Sequence, residues 1–244
     1  MIGVYDSGVG GLSVWKELVS LMPDEDYVYY SDAAFCPYGP KDPSFIVERA
    51  CAVTDFFIEK GCKLIVVACN TATAAAITHL RAHYEIPFVG MEPAIKPAIL
   101  HSRSGVVGVL ATAGTFKGKL YLSTLARFSG EVKVVEHVGE GLVETVEKGV
   151  LDGPEVEGLV HRCIDPMLEA GADHIVLGCT HYPFLQPVIE RLAGPYVTVV
   201  NPAPAVARQA MRLLKKEEPS QGKGSTEFCS SAEDISVLLR LSQM

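Results

Sequence analysis

The chain has 244 residues, 48% of them hydrophobic, with a net charge of −8 and a pI near 5.4. That is material for one large or two modest domains with a buried core and no need of staples, and the acidic balance disfavours nucleic acid as a partner. Its seven cysteines are an odd number with no CxxC pair, which argues against a disulfide framework or a zinc knuckle.

Mean hydropathy is +0.24, yet no apolar run approaches the ~20 residues of a membrane span. The N-terminus opens directly into a strand, without a basic region or cleavage site, and this points to a cytoplasmic location.

Ile2-Gly3-Val4-Tyr5 reads as the first strand, and Asp6-Ser7-Gly8-Val9-Gly10-Gly11 as a glycine-rich turn into a helix from Ser13 to Met22. Glycines at such a turn let backbone amides approach a ligand. GxGxxG is not matched and the Walker lysine is missing, so nucleotide binding is disfavoured. Asp6 suits an amine or a proton better than an anion. Asp26 to Asp32 predicts a second strand, followed by the loop Ala33 to Pro40, which proline and glycine stiffen. Tyr38 in that loop reads either as an aromatic at the core's edge or as a cover over a ligand. A helix over Ser44 to Lys60 turns Ile46, Val47, Ala50, Val53, Thr54, Phe57 and Ile58 inward and stops at Gly61.

Leu64 to Ala68 is an apolar run fit for a strand buried on both faces, and it ends on Cys69, Asn70 and Thr71. An alanine-rich helix from Thr71 to Tyr84 follows, with Asn70 and Thr71 as natural caps that remain able to contact a ligand. Ile86 to Gly90 is a strand, and Glu92-Pro93 begins the crossing to a second half. There, Ala94 to Leu100 predicts a helix, Val106 to Ala111 a strand, Phe116 to Phe128 a helix and Val132 to Glu136 a strand. Gly141 to Gly149 reads as a surface helix, on which Glu147 has the pattern of a solvated residue. Glu155 to Ala170 is a long helix with Pro166 inside it.

Asp173 to Pro183 then repeats the earlier stretch: an apolar strand ending on Cys179, with Thr180 and His181 behind it. A helix over Pro183 to Leu192, a strand over Tyr196 to Val200 and a helix over Ala203 to Lys216 follow. Glu217 to Gly224 predicts an exposed polar loop. Thr226 to Cys229 and Ala232 to Leu241 form a tail expected to return onto the first half.

Cys69 and Cys179 stand 110 positions apart. Gly3 to Gly8 matches Gly108 to Ala113 at an offset of 105, and Val89 to Ala94 matches Thr198 to Ala203 at 109. Three strands repeating in order, with offsets differing by a loop's length, predict two similar parallel-sheet α/β domains. We place them at residues 1–93, completed by 203–244, and at 94–202. Facing halves would bring one cysteine each to a shared crevice. Both thiols precede predicted helix N-termini, which favour thiolate. One thiolate and one thiol on opposite sides of a carbon can remove a proton from one face and supply one to the other, which inverts the centre. A single nucleophile served by His181 would be the hydrolytic alternative, and it leaves the second cysteine unexplained. A two-lobed binder of a small carboxylate, without turnover, is the non-enzymatic alternative.

The segments Tyr5 to Gly11, Pro37-Tyr38-Gly39, Ala68 to Ala72, Glu92-Pro93-Ala94 and Gly178 to Pro183 together resemble glutamate racemases of the Asp/Glu racemase superfamily. The resemblance implies interconversion of L- and D-glutamate without cofactor or metal, supplying D-glutamate to peptidoglycan synthesis, with aspartate racemase as the nearest rival. It implies that Cys69 works on D-glutamate and Cys179 on L-glutamate, assisted by Asp6, His181 and Glu147. Asp6, Ser7, Tyr38, Gly39, Asn70, Thr71, Thr180 and His181 match substrate-binding positions. A homodimer is in keeping with the family. Departures from the family pattern fall at His137 to Gly141, Glu144 and Phe35, touching substrate affinity and lid shape. The chain lacks the N-terminal extension of members activated by a peptidoglycan precursor, and no such activation is expected.

Overall fold

A computed structural model describes residues 1–215 and 222–244. The end of the expected helix at Lys216 and most of the expected polar loop, residues 217–221, lie outside the described residues.

Each apolar run becomes a parallel strand followed by a helix. The first half runs β1 (Ile2–Asp6), α1 (Leu12–Leu21), β2 (Tyr27–Ser31), α2 (Pro43–Glu59), β3 (Leu64–Val67), α3 (Asn70–His83) and β4 (Phe88–Gly90). The second runs α4 (Ile95–His101), β5 (Val106–Ala111), α5 (Ala113–Phe116), α6 (Lys119–Phe128), β6 (Lys133–Val138), α7 (Leu142–Glu147), α8 (Pro154–Glu169), β7 (His174–Gly178), α9 (Gln186–Ala193) and β8 (Thr198–Val200). α10 (Ala203–Leu213), β9 (Thr226–Ser230) and α11 (Ser236–Ser242) close the chain.

Two all-parallel sheets result. One has the order β4-β3-β1-β2-β9, the other β6-β5-β7-β8. Read from the β4 and β8 edges, the first four strands of each follow the same plan, the sheet counterpart of the sequence repeat. In each half the chain leaves the first strand to one side and returns on the other, so a crevice opens at the carboxyl ends of β1 and β3 and of β5 and β7. Asp6 ends β1 and Cys69 follows β3; Thr112 follows β5 and Cys179 follows β7. The tail does return to the first sheet. β9 pairs with β2, Tyr29 opposite Phe228, and α10 and α11 pack on α1.

Local chemistry explains the element ends. Asp42 caps α2 by accepting from the Ser44 amide, with Pro43 at the first helical position. Gly61 beyond it takes φ +76°, a conformation suited to glycine. The inward face of α2 is Ile46, Ala50, Val53, Thr54 and Phe57, whereas Ile58 is 45% exposed. The helix expected over Phe116 to Phe128 is α6 and starts at Lys119, after an extended Gly118, and the residues before it, from Ala113 to Phe116, form the short helix α5. The helix expected from Pro183 begins as a tight 3-10 turn, Tyr182–Leu185, before α9. α7 is not a surface helix: Leu142, Val143, Thr145 and Val146 are buried. Among the described residues no helix is long and apolar enough to cross a membrane.

Candidate active site

The strand ends meet around a small, nearly closed cavity, with about 10 Å³ of free space, lined from both halves by Ser7, Tyr38, Gly39, Cys69, Asn70, Thr71, Cys179, Thr180 and His181. Thr112, Val143 and Pro37 complete the wall. Asp6 and Glu147 stand behind it.

Cys69 is the residue just before α3, and its Sγ accepts from the Ala72 amide at 3.4 Å while the thiol reaches Ser7 Oγ at 3.6 Å. The helix end was expected to favour thiolate. Instead, burial, reinforced by the charge of nearby Asp6, pushes the thiol up to about 12, more than the Ala72 and Ser7 contacts lower it. Cys179 stands before a 3-10 turn rather than an α-helix. Its electrostatic partner is a side chain: Sγ lies 3.6 Å from His181 Nδ1.

His181 Nε2 lies 2.5 Å from Glu147 Oε1, which also accepts from the Val9 amide at 2.8 Å. Burial opposes the imidazolium, but hydrogen bonds with Cys179, Cys36 and Glu147 outweigh it and hold the ring's proton affinity well above its ordinary value. Burial likewise works against the Glu147 carboxylate, and the bond to His181 more than compensates, so its affinity for a proton falls. Imidazolium and carboxylate form a pair that can carry the charge of a Cys179 thiolate.

Asp6 is fully buried. Its oxygens accept from the Gly8 amide and from Thr180 Oγ1, each at 2.9 Å. Burial raises its carboxyl to about 6, against the lowering influence of His181. The Thr180 contact and the Ser13 Oγ bond to Thr180 O, 3.0 Å, stitch the halves together.

The glycine turn is not an open anion loop. A methyl at Gly8 would stand 1.9 Å from Glu147 Oε1, and one at Gly10 would stand 2.4 Å from His181 Nδ1 and 2.6 Å from Thr180 Oγ1. Those glycines leave room for the second half's acid–base pair to dock against β1.

Tyr38 lines the cavity, while its hydroxyl turns into the first half, donating to Asp32 Oδ2 at 2.5 Å and meeting Tyr5 at 2.6 Å. Arg49 clamps Asp32 through Nε at 2.9 Å and Nη2 at 2.8 Å, with Phe35 4.4 Å beneath the guanidinium. Thr71 Oγ1 meets Thr112 Oγ1 across the cavity at 2.8 Å. Asn70 is 3% exposed, and neither its amide nitrogen nor its oxygen has a hydrogen-bond partner. Such an orphaned buried amide is free to pair with a ligand or an ordered water in the cavity.

Three participants went unread in the sequence. Thr112 carried a signal, since the 105-residue offset places it opposite Ser7. Val143 and Cys36 carried none; Cys36 brings a third thiol beside Glu147 and His181.

Two matched α/β halves, each setting one thiol into a common cavity and backing it with buried acid–base groups, define a racemase-type enzyme of the α/β class. Residues 3–210 match the Asp/Glu/Hydantoin racemase family, and the chain belongs to it. The chain is 48% identical over 235 residues to the glutamate racemase of Herpetosiphon aurantiacus, covering 95% of this chain and 92% of that protein. The crystal structure of Escherichia coli glutamate racemase, in complex with L-glutamate and the activator UDP-MurNAc-Ala, superposes with a TM-score of 0.87 at 35% identity over 99% of this chain and 93% of that one. The Francisella tularensis enzyme in complex with D-glutamate gives 0.85 at 27% identity, over 100% and 93%.

Proposed function

We propose that the protein is a glutamate racemase that inverts Cα by two-thiol proton transfer. From L-glutamate, the Cys179 thiolate takes the Cα proton and the Cys69 thiol delivers its own to the opposite face, leaving Cys179 protonated, Cys69 ionised and D-glutamate bound. The reverse reaction exchanges the roles. The His181–Glu147 pair serves the Cys179 side, and Asp6 with Ser7 serves the Cys69 side. Asn70, Thr71, Thr180 and the Tyr38-Gly39 backbone hold the substrate's carboxylates and ammonium. These roles rest on one observation above all: two thiols from separate sheets line one small cavity that also contains an unpartnered amide.

In this reading residues 1–93 with 203–244 form one lobe and 94–202 the other. The enzyme works in the cytoplasm, as a homodimer, and its D-glutamate feeds peptidoglycan synthesis. The test is incubation of purified protein, without added cofactor, with L-glutamate in deuterated water. D-glutamate carrying deuterium at Cα is expected. Turnover of aspartate in place of glutamate would reassign the substrate; neither inversion nor exchange with either amino acid would refute the reading.

A further inference from the structure

The two-thiol mechanism leaves Cys36 without a task. It follows the short 3-10 turn Ala33–Phe35, is half-buried, and brings its Sγ beside the carboxylate of Glu147 and the ring of His181. One donor atom from each of the three residues lies within 4.8 Å of the other two. Among the described residues this is the one group of three or more such side chains that meets that spacing. It is also sheltered, with His181 2% and Glu147 22% exposed at the side chain. A thiol, an imidazole and a carboxylate converging in this way are a donor set for a borderline-soft divalent ion.

We propose that Cys36, His181 and Glu147 form an inhibitory binding site for a single Zn²⁺ ion. Bonds of ~2.3 Å to sulfur and ~2.1 Å to nitrogen and oxygen place donors about 3.5 Å apart in a tetrahedron, so His181 Nε2 and Glu147 Oε1, now hydrogen-bonded at 2.5 Å, have to part by about an ångström to admit the ion, while Cys36 Sγ already lies within 4.8 Å of both. Glycine at position 8 is what lets these donors converge: a Cβ there would lie 1.9 Å from Glu147 Oε1 and 3.1 Å from Cys36 Sγ. The two ring nitrogens of His181 are already assigned by their neighbours. Nε2 faces Glu147 and takes the metal, while Nδ1 stays directed at Cys179 Sγ, 3.6 Å away, as an outer partner that fixes the ring. The Val9 amide, 2.8 Å from Glu147 Oε1, steadies the carboxylate in the same manner.

Charge and protons balance. The ion displaces the thiol proton of Cys36 and the Nε2 proton of the imidazolium, two in all, and the thiolate and carboxylate neutralise its double charge. Three protein donors leave one position open. With Nε2 occupied, the His181–Glu147 pair can no longer respond to charge on Cys179, and proton transfer stops. The inhibitory effect rests on the proposed racemase reading; binding of the ion does not.

The experiment titrates chelator-stripped protein with Co²⁺ as a spectroscopic stand-in, then displaces it with Zn²⁺, and follows glutamate racemisation in parallel. One equivalent of Co²⁺ is expected to give a thiolate charge-transfer band in the near ultraviolet. Zn²⁺ should abolish that band, and racemisation should fall at least tenfold with the Zn²⁺ occupancy and return on adding chelator. Cys36→Ser, with unchanged circular dichroism, should lose the band, whereas Cys229→Ser should keep it. No saturable band in the unmodified protein, or a band that survives Cys36→Ser, overturns the site. A normal band with undiminished racemisation overturns its inhibitory role. The spectral titration needs no turnover, so it decides the site even if glutamate proves not to be the substrate.

Discussion

Arg49→Ala should be among the most damaging substitutions outside the cavity. Asp32 is completely buried, and its carboxylate is held by two bonds from Arg49 and one from Tyr38. The Arg49 side chain is 23% exposed, so water reaches one side of the pair and none reaches the other. Two charges about 4 Å apart at an effective dielectric of 20 attract by roughly 4 kcal/mol, and removing one partner of a buried pair costs about 3–5 kcal/mol. Partial access to water argues for the lower end, about 3 kcal/mol, and loss of the guanidinium over Phe35 adds roughly 0.5–1 kcal/mol. At ~2–4 °C per kcal/mol for a chain of this size, the melting temperature should fall by about 7–16 °C. The cavity should suffer as well, because Asp32 holds the Tyr38 hydroxyl and thereby the loop that lines it; KM for glutamate should rise more than kcat falls. Thermal and urea unfolding followed by circular dichroism, with steady-state kinetics at low temperature, measure both. In the double variant Asp32→Asn with Arg49→Ala the buried charge is gone, so it should be more stable than Arg49→Ala alone. Loss of less than about 0.5 kcal/mol in Arg49→Ala, the range of an ordinary surface change, or no recovery in the double variant, would refute the reasoning.

Cys69→Ala and Cys179→Ala should each lower racemisation by about 10²–10⁴-fold, the range for losing a positioned acid or base; either variant running near the native rate ends the two-thiol mechanism. Gly10→Ala forces a methyl to 2.4 Å from His181 Nδ1, and overpacking of this kind costs about 1–3 kcal/mol. Its kcat should drop at least tenfold in protein that is still folded, as judged by circular dichroism, and an unchanged kcat would show that the lobe contact tolerates displacement. Asp6 binds its proton more tightly folded, at about 6, than at its ordinary 3.8. Between those values the native state holds more protons than the unfolded one, so this group's contribution to stability declines as pH rises from about 4 to 6, by roughly 3 kcal/mol in all. Urea unfolding across that interval should show the decline in the native protein and not in Asp6→Asn; parallel profiles would contradict it.

The sequence repeat made the two sheets, their shared strand plan and the convergence of Cys69 with Cys179 legible, because buried parallel strands write themselves as unbroken apolar runs. Asp6, Thr180 and His181 were legible for the same reason, sitting at those strands' ends. Glu147 was visible only through family resemblance. Its local pattern is that of an exposed helix residue, and its role comes from partners 34 and 138 positions away, His181 and Val9. The meaning of Gly8 and Gly10 was hidden in the same way: glycine reports that space is needed without saying what fills it. Cys69 shows the limit of local rules in another form. Its place at a helix start was read correctly, and desolvation in a closed cavity reversed the electrostatic consequence.

The bonds that join the halves are largely made by the buried acid–base groups around the cavity and their neighbours: Thr180 to Asp6, Val9 to Glu147, Ser13 to Thr180. Opening wide enough to exchange glutamate would break them. Water would then reach Asp6 and lower its affinity for a proton, while His181 and Glu147 would lose the surroundings that keep them charged together. Opening of the halves and protonation of these buried groups would then be a single thermodynamic cycle in this molecule.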